Sequence, residues 1–350
     1  MSKKLKKVVC FGGGNLVPKV LLEPLKTYPV KITSVTSMTE SGGSTGQLRK
    51  DFNVLPAGDI SRHIVGLSEA PLWKRELFYL RFGEEKFVGG HVGHRFGTVF
   101  ISLLEYVLGD FEKALKIAHD FLEVKNHKAL PATIDKVQLM AELANGRIIE
   151  GEDEIDVPKK HNPKIKIKKV FLKPKAKIFS PVKSAIIEAD LITFGPGDFY
   201  SSIIPCLLPE GMKQSFKKSK AKKVFIGSTM TKLGETHNFS MSDFVREIEK
   251  YIGCPLDFVI YHKGSVNRTK IREYKKINPL VSGLVRIDEN LPQDKFIGEY
   301  IIMKSGKLAY DSKKLAKIIF KLCPVVQPPV IRKPTKRSGI TQSEVARGIE

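Results

Sequence analysis

The chain opens with a short apolar run, residues 8–11, that is followed at once by three glycines. Apolar residues then recur at helical spacing over residues 16–25, and a second apolar run follows at residues 32–36. This order of strand, glycine turn, helix and strand is a βαβ start, which indicates a parallel sheet covered by helices. In such a sheet, ligands bind beyond the carboxyl ends of the strands.

Further apolar runs at residues 189–194, 223–226 and 257–260 alternate with helical segments and predict more parallel strands. Residues 59–123 are mainly helical in pattern and predict a helical insertion on one side of the sheet. Asn145-Gly146 lies between two apolar runs and predicts a hairpin with a type I′ turn, within a hairpin region of about residues 136–175. We predict a Rossmann-like three-layer α/β sandwich with a mainly parallel sheet, as one domain over residues 1–325, and a basic tail at 326–350.

Composition limits the class of protein. A hydrophobic content of 42% is enough to bury a full core, which excludes disordered and fibrous classes. No stretch approaches the roughly 20 apolar residues that span a bilayer, and the first apolar run is too short for a signal peptide. The four cysteines are far apart and form no Cys-x-x-Cys pair. We therefore expect a cytoplasmic protein with buried thiols and no membrane insertion.

The formal net charge of +22 raises the question of nucleic acid as a partner. Nine lysines fall within residues 159–177, and six more lie in a predicted helix at residues 213–223. Few aromatic residues lie between these lysines, and no helix-turn-helix, RNA-binding sheet or zinc-finger signature accompanies them. We expect solvated lysine faces rather than a specific nucleic-acid partner, and nucleic-acid binding is the lowest alternative.

Three loops at predicted strand ends are rich in residues that bind phosphate through backbone amides. Residues 12–15 form a glycine turn, which either binds a ligand or is only a tight turn. Residues 39–49 join hydroxyls, glycines and Arg49, or form a mobile loop with a solvated arginine. Residues 195–203 carry two serines that either donate to a diphosphate or cap a helix. The candidate binding residues in these loops are Gly12, Gly13, Gly14, Asn15, Gly43, Ser44, Thr45, Arg49, Gly195, Gly197, Tyr200, Ser201 and Ser202.

Two further features are open to more than one interpretation. Asp59 precedes a helical pattern and is equally suited to cap that helix or to bind a ligand or metal. His91 and His94 have the spacing of a zinc pair, but no cysteine partners follow and the segment is rich in glycine. We therefore expect no resident metal.

Short motifs in a fixed order carry a family resemblance. They lie at residues 8–14, 42–49, 55–60, 94–97, 130–133, 151–155, 189–205 and 234–236. Together they resemble the 2-phospho-L-lactate transferase (CofD) and gluconeogenesis factor (YvcK) family. The Gly-Gly-Ser-x-Gly-x-Leu-Arg motif at residues 42–49 and the Gly-Glu-Thr motif at 234–236 resemble the gluconeogenesis-factor branch in particular.

The resemblance implies a nucleotide cleft at the strand ends. The gluconeogenesis-factor branch binds UDP-sugars such as UDP-N-acetylglucosamine and supports cell-wall synthesis and cell shape during growth on gluconeogenic carbon. Our main expectation is accordingly a non-catalytic nucleotide-sugar binder with a regulatory protein partner, as a homodimer. The alternative is a transferase that passes a nucleotide-activated phospholactate to an acceptor alcohol with magnesium.

Carried onto this chain, the resemblance implies that residues 12–15 and 195–202 hold the nucleotide and its phosphates. Ser44, Thr45 and Arg49 would face the distal group. Arg62 and Ser228 complete the predicted binding set. Glu40 and Asp59 are the candidate catalytic residues of the transferase alternative.

The departures from the family pattern bear on this choice. The family commonly has Thr-Gly where this chain has Asn15 and Leu16, and an Asp-Asp pair where it has Glu40 and Ser41. The family arginine is displaced by one position to Arg62, and Ser228 and Thr98 stand where asparagine is usual. Loss of one carboxylate weakens the attraction for a divalent cation, which favours the binder over the transferase.

Overall fold

The computed structural model describes residues 5–82, 93–289, 291–303 and 309–324. Its strands are β1 (Lys6–Phe11), β2 (Val30–Thr36), β3 (Lys128–Pro131), β4 (Gln138–Leu143), β5 (Ile148–Glu150), β6 (Ile167–Lys173), β7 (Leu191–Phe194), β8 (Lys222–Ile226), β9 (Met230–Lys232), β10 (Phe258–His262), β11 (Val281–Leu284) and β12 (Phe296–Glu299). Seven of these strands form one sheet in the order β12-β10-β8-β7-β1-β2-β3. Every pairing within that sheet is parallel, which confirms the predicted α/β fold class.

The helices lie between the strands. They are α1 (Glu23–Leu25), α2 (Gly43–Phe52), α3 (Gly58–Leu67), α4 (Leu72–Tyr79), α5 (Phe96–Leu108), α6 (Phe111–Phe121), α7 (Glu152–Asp156), α8 (Ser180–Glu188), α9 (Met212–Lys218), α10 (Met241–Ile252), α11 (Arg268–Ile277) and α12 (Ser312–Leu322). A wider π-helical turn at Val17–Leu22 follows the first predicted ligand loop, and a second one at Phe199–Ile203 forms the end of the third. The lysine-rich helix predicted at residues 213–223 is α9, which ends at Lys218 because β8 already begins at Lys222.

The middle of the sheet determines where a ligand can bind. From β1 the chain builds outward through β2 and β3 on one side, whereas β7, β8, β10 and β12 lie on the other side. The loops that follow β1 and β7 therefore diverge and leave a crevice at the carboxyl edge. The two loops are joined by a hydrogen bond from the Gly195 N–H to the Phe11 carbonyl, 2.8 Å long.

The sheet core consists of apolar side chains that are buried on both faces. All four residues of β7 are buried, and Val8 to Phe11 of β1 are at most 1% exposed. Such continuous apolar strands are typical of a parallel sheet that carries helices on both faces. Cys10, Cys206 and Cys323 are buried free thiols, and burial raises the pKa of the Cys10 thiol to about 12.

The helical segment between β2 and β3 contains α3 to α6 and packs through an aromatic cluster. Phe78 of α4 contacts the rings of Phe96, Phe100 and Phe121 at centroid distances of 5.5 to 5.8 Å. Each such ring pair contributes roughly 0.5–1.5 kcal/mol beyond the burial of its area. The helices are therefore fixed firmly against one another beside the carboxyl edge.

The predicted hairpin is present, but its turn type was wrong. β4 pairs antiparallel with both β5 and β6 in a three-stranded sheet. The Gly146 N–H donates to the Leu143 carbonyl at 2.9 Å, and the positive φ of this loop, 84°, falls at Gly146 alone. This is a type I turn followed by a glycine bulge, which needs a left-handed residue only after the turn.

β9 and β11 form a second, two-stranded antiparallel sheet. Within the described ranges, no helix combines the length and the apolar character needed to cross a bilayer. The predicted tail at residues 326–350 lies outside the described residues. The division into one domain and a tail therefore stays a prediction.

Candidate functional site

A cavity of about 510 Å³ lies at the carboxyl edge of the sheet, where the loops after β1, β2 and β7 meet. Its walls differ in charge. The cationic side chains are Arg62, Arg81, Arg95 and Lys159, and the acidic ones are Glu40, Asp59, Glu152, Asp153, Glu154, Asp156 and Asp198. Small or hydroxyl-bearing residues complete the lining, among them Gly14, Ser37, Gly42, Gly43, Ser44, Thr45, Thr98, Ser201 and Ser202.

The glycine turn after β1 is held by a carboxylate. The Gly14 N–H donates to Asp59 Oδ2 at 3.0 Å, and a methyl group added at Gly13 would overlap the same carboxylate. Gly14 has a φ of 71°, which favours glycine. These glycines therefore let the backbone approach Asp59 closely, while Asn15 lies exposed beyond the turn.

The alternative that Asp59 caps its helix is not what the structure shows. Asp59 lies inside the first turn of α3, whose N-cap position is Ala57 without a side-chain hydrogen bond. Asp59 instead accepts from Gly14 and forms an ion pair with Arg62 through its Oδ1 atom. The reason is the burial of both side chains, at 12% and 14% exposure, where each charge needs a partner.

Glu40 and Asp59 lie on either side of Arg62 but ionise differently. Burial raises the pKa of Glu40, the Asp59 charge raises it further, and the result is a pKa of about 7. Burial also acts to raise the pKa of Asp59, but Arg62, His63 and the Gly14 amide outweigh it and lower that pKa below its usual value. Glu40 is therefore a carboxyl group that changes protonation near neutral pH, whereas Asp59 stays ionised.

The second predicted loop becomes the start of α2, which begins at Gly43. Ser44 Oγ lies 2.6 Å from His94 Nδ1, so a histidine of the His-x-x-His spacing is hydrogen-bonded to a cavity hydroxyl. The other histidine of that spacing, His91, lies outside the described residues. Thr45 is buried and lines the same wall.

Arg49 does not line the cavity, contrary to its expected position opposite the distal group. Its guanidinium donates to Gln138 Oε1 at 3.2 Å and to the Val137 carbonyl. Both acceptors lie at the start of β4. Because Arg49 lies two helical turns from the α2 N-terminus, its side chain meets the hairpin sheet rather than the strand ends.

The loop after β7 donates backbone hydrogen bonds to a carboxylate of the protein itself. Glu235 Oε2 accepts from the backbone N–H groups of Tyr200, at 2.6 Å, and Ser201, at 3.2 Å. Ser201 Oγ also lies 3.1 Å from Glu235 Oε1 and 3.0 Å from Asp156 Oδ1. These are the amides predicted to hold a diphosphate, and in this structure a protein carboxylate accepts from them.

Lys232 joins Glu235 to two further carboxylates. Its Nζ atom lies 3.0 Å from Glu235 Oε1 and 3.2 Å from Asp198 Oδ2, and it also contacts Asp156 Oδ1. Burial alone would lower the pKa of Lys232, but the three carboxylates raise it well above its usual value. For Glu235, burial and the neighbouring carboxylates outweigh the lysine and raise the pKa to about 7.

The three carboxylates of this cluster lie close enough together to bind a divalent cation. One carboxylate oxygen from each of Asp156, Asp198 and Glu235 lies within 4.8 Å of the other two. The Lys232 ammonium already contacts all three. The lysine is therefore already the cation of this cluster. Arg62 is likewise the cation beside Glu40 and Asp59, the candidate catalytic residues of the transferase alternative, so neither group of carboxylates fits a magnesium ion.

A second, smaller cavity of about 110 Å³ lies beside the first, and Asp198 lines both. Its wall includes Ser228 and Gly197, which were predicted, and two aromatic residues, Tyr274 and Tyr310, which were not. A tyrosine ring has an apolar face on which a flat ring can stack. Because Asp198 lines both cavities, they adjoin each other as the two parts of one cleft.

The structure divides the predicted site residues into three groups. Glu40, Gly14, Gly43, Ser44, Thr45, Asp59, Arg62, Ser201 and Ser202 line the large cavity, and Gly197 and Ser228 line the small one. Gly12, Gly13, Gly195 and Tyr200 support the loops from behind, where Tyr200 is 1% exposed. Asn15 and Arg49 line neither cavity. Ligand binding by any of them stays a prediction.

Sequence analysis missed several residues of the cleft. They are Arg81, Arg95, Glu152, Asp153, Glu154, Asp156, Lys159, Lys232, Glu235, Tyr274 and Tyr310. Glu152, Arg95 and Glu235 lie within the matched family motifs at residues 151–155, 94–97 and 234–236, which was the available signal. For Arg81, Lys232 and the tyrosines, the sequence carries no local pattern that marks a site.

Comparison with known proteins gives one consistent result. Residues 8–297 match the family model for the 2-phospho-L-lactate transferase CofD. A putative gluconeogenesis factor of Thermotoga maritima is 36% identical, over 89% of this chain and 98% of its own length. A gluconeogenesis factor of Halalkalibacterium halodurans is 33% identical, over 90% of this chain and 96% of its own length.

Solved structures agree. A crystal structure of a UPF0052 family protein from Bacillus halodurans superposes with a TM-score of 0.82 at 32% identity. It covers 91% of this chain and the whole of that chain.

Proposed function

The chain belongs to the CofD family, and on that premise we propose that it is a gluconeogenesis-factor-type protein that binds a nucleotide sugar of the UDP-N-acetylglucosamine class. It acts as a sensor of that ligand and regulates cell-wall synthesis and cell shape during growth on gluconeogenic carbon. A protein partner recognises the ligand-bound form of the chain.

The observation that carries this proposal is the two-part cleft at the carboxyl edge. A cavity of about 510 Å³ is within the range of roughly 300–1,000 Å³ that is usual for small-molecule sites. It continues through Asp198 into the smaller cavity with its two tyrosines. A ligand with a flat ring at one end, phosphates in the middle and a sugar at the other end has the matching order of chemical groups.

In this proposal the base lies against Tyr274 and Tyr310, which offer ring faces and hydroxyls. The diphosphate lies in the crevice beside Gly14 and Ser202, where the absence of a Cβ at Gly14 allows close approach. The sugar faces Ser44 and Thr45, whose side chains can exchange hydrogen bonds with its hydroxyls.

The transferase is the second candidate function. Glu40 supports it, because a mostly buried carboxyl with a pKa of about 7 is suited to accept a proton from an acceptor alcohol. The charges around Glu40 count against it, because the acidic pair usual in the family is reduced here to this one carboxylate and Arg62 already lies beside it. The binder is therefore the primary proposal.

A thermal unfolding panel tests both candidates. The ligands are UDP-N-acetylglucosamine, UDP-glucose, GDP and GTP, each with and without magnesium. A ligand at about 100 times its dissociation constant adds about 2.7 kcal/mol to the free energy of unfolding. We expect that stabilisation from the UDP-sugars without magnesium, and no turnover of the bound ligand by product analysis.

A matched pair of variants locates the binding. Ser202→Trp fills the cavity wall and should abolish the stabilisation by UDP-sugars. Ser184→Trp places the same side chain on the exposed surface of α8 and should leave it intact. Magnesium-dependent transfer from a GDP-linked substrate would overturn the binding proposal and support the transferase. If no nucleotide stabilises the chain, both candidates fail.

A further inference from the structure

Three arginines converge on the part of the large cavity that lies next to α3 and α5. Arg62 belongs to α3, and Arg81 and Arg95 pair with each other in an isolated antiparallel bridge. Residues that face each other in an antiparallel pair project their side chains to the same side. Both bridge arginines line the cavity together with Arg62.

The hydrogen-bonding groups of Arg95 are incompletely used. Its Nε and Nη1 atoms are buried and have no hydrogen-bond partner, and the Nε of Arg62 is in the same state. The Arg95 guanidinium lies 5.5 Å from the centre of the Tyr79 ring, which orients it without accepting an N–H bond of the usual kind. An unpaired buried N–H group is destabilising, so an acceptor in the cavity would remove that cost.

The positive charges in this region are not balanced by ion pairs. Arg62 pairs with Asp59, but neither Arg81 nor Arg95 forms an ion pair with any residue in the described ranges. Among the described residues, the Arg81 side chain donates to the Gly93 carbonyl, at 2.6 Å. Burial lowers the pKa of Arg95, and the charges of Arg62 and Arg81 lower it further, so these guanidinium groups repel one another across a short distance.

The acidic wall of the cavity carries less negative charge than its composition suggests. Burial and four neighbouring carboxylates raise the pKa of Glu152 to about 9, so this side chain is mostly protonated at neutral pH. Glu40, with a pKa of about 7, is half protonated there. An anion placed against Arg81 and Arg95 therefore meets attraction from the arginines and reduced repulsion from these two carboxyl groups of the same cavity.

We propose that Arg81 and Arg95 form a second anion subsite in the large cavity, separate from the phosphate position beside Gly14. Its ligand chemistry is a carboxylate or a phosphate monoester, either of which presents two oxygens to a planar guanidinium. The inference rests on the proposed function and narrows it. Among nucleotide sugars, it favours one whose distal group is anionic over one with a neutral sugar such as N-acetylglucosamine.

UDP-glucuronic acid and UDP-glucose form the matched pair of probes, since they differ only by a carboxylate in place of a hydroxymethyl group. We expect titration calorimetry to give an affinity at least about tenfold higher for UDP-glucuronic acid in the unaltered chain. Arg95→Met should remove this difference by lowering the affinity for UDP-glucuronic acid by a larger factor than the affinity for UDP-glucose. Arg95→Lys should keep part of it, because a lysine retains the charge but loses the planar pair of donors.

Arg246→Met serves as the control, since it removes the same charge from an exposed position on α10 and should change neither affinity. Glucose 6-phosphate and glucuronic acid, used without a nucleotide, distinguish phosphate from carboxylate at the subsite. Whichever anion is preferred should stabilise the unaltered chain against heat, and that stabilisation should be absent in Arg95→Met.

The outcomes separate the two proposals. Equal affinities for UDP-glucuronic acid and UDP-glucose, with no stabilisation by either free anion, overturn the anion subsite and leave the nucleotide-sugar proposal standing. Stabilisation by a free anion through Arg95, with no binding of any UDP-sugar, overturns the nucleotide-sugar proposal and supports the subsite. No response to any probe overturns both.

Discussion

In the turn after β1 and in the loop after β7, a buried carboxylate from another element accepts hydrogen bonds from backbone N–H groups. Asp59 accepts from Gly14 in the first, and Glu235 accepts from Tyr200 and Ser201 in the second. Each carboxylate also forms an ion pair with a cation three residues away in the chain. Asp59 pairs with Arg62, and Glu235 pairs with Lys232. The local arrangement is thus nearly the same on two neighbouring strands.

The difference lies in the charges around each pair. The pKa of Asp59 is held below its usual value by Arg62, against the effect of burial. Glu235 shares its lysine with Asp156 and Asp198, and burial and these carboxylates raise its pKa to about 7. The turn after β1 is therefore bound to Asp59, which stays ionised, whereas the loop after β7 is bound to Glu235, which titrates near neutral pH. The charges around each carboxylate, together with the hydrogen bonds that Asp59 accepts from Gly14 and Arg62, decide which loop responds to pH.

The largest expected effect is on the loop after β7. Lys232→Met leaves three carboxylates within 4.8 Å of one another without a cation, so we expect the free energy of unfolding at pH 8 to fall by about 3–5 kcal/mol. At pH 5 the loss should be smaller, because the carboxyl groups can take up protons. Urea unfolding at both pH values measures the difference.

Lys250→Met is the control for this experiment, since Lys250 is an exposed lysine paired with Glu247 on α10. It should change the free energy of unfolding by less than about 1 kcal/mol. An equal loss for Lys232→Met at pH 5 and pH 8 would show that carboxylate repulsion is not what the lysine relieves.

A smaller effect is expected at the turn after β1. Asp59→Asn keeps an acceptor for the Gly14 N–H but leaves Arg62 without its main partner, so we expect a loss of about 2–3 kcal/mol in urea unfolding. Glu40, 4.0 Å from Arg62, should become ionised and limit the loss. In contrast to Lys232→Met, the loss should be smaller at pH 8 than at pH 6, because only at the higher pH does the unaltered chain carry the repulsion between Asp59 and an ionised Glu40, which the variant lacks. A loss that grows with pH, as that of Lys232→Met does, would remove the distinction between the two loops.

The pH dependence of stability should separate the two carboxylates further. Because folding raises the pKa of Glu235 from 4.5 to about 7, the folded chain binds more protons in that range, and stability should fall as pH rises from about 4.5 to 7. One such group contributes a slope of up to about 1.4 kcal/mol per pH unit. Glu235→Gln should flatten the slope by up to that amount.

Asp59 has the opposite sign, since its lowered pKa gives stability that is lost only as pH falls below its usual value of 3.8. Urea unfolding in steps of half a pH unit, with the unaltered chain and Glu235→Gln side by side, measures both effects. Identical slopes for the two proteins between pH 4.5 and 7 would contradict the raised pKa of Glu235.

The smallest effect concerns a residue that belongs to neither loop. Arg49→Met removes the contacts to Gln138 and Val137 and should cost about 1 kcal/mol of stability, in line with a single hydrogen-bonding group. It should leave the affinity for a UDP-sugar unchanged, because Arg49 does not line the cavity. A drop in affinity of tenfold or more would place Arg49 in the site, as its motif suggested.

Much of the fold was predictable because short-range patterns carry it. The apolar runs at residues 8–11, 189–194 and 223–226 became central strands, and the glycines after them became the loops that surround the cleft. The turn of the hairpin was predicted incorrectly, because Asn-Gly also fits a type I turn in which only the glycine is left-handed. Periodicity indicates that a turn exists, but the register of the two strands decides its type.

The sequence predicted the backbone positions of the site but not most of its charged side chains. Its backbone positions, such as Gly14 and Gly43, follow from the chain's own loops, and they do line the cavity. The charged side chains that meet these loops come from far along the chain, as Asp59 does for Gly14 and Glu235 for Ser201. Arg49 is close in sequence to Gly43 and Ser44, but its side chain contacts β4. Arg81 and Arg95 pair in an isolated bridge that no local sequence pattern indicates.

The sequence by itself thus determined the parallel sheet, the crevice at its carboxyl edge and the family, because strand periodicity, glycine turns and ordered motifs act over a few residues each. Only the tertiary structure decided which charges surround the crevice and which of them are ionised. The physical reason is that a pKa depends on burial and on every charge within several ångströms, and those neighbours are assembled by packing. The same carboxylate-to-amide contact is therefore permanent beside Arg62 and titratable beside Lys232.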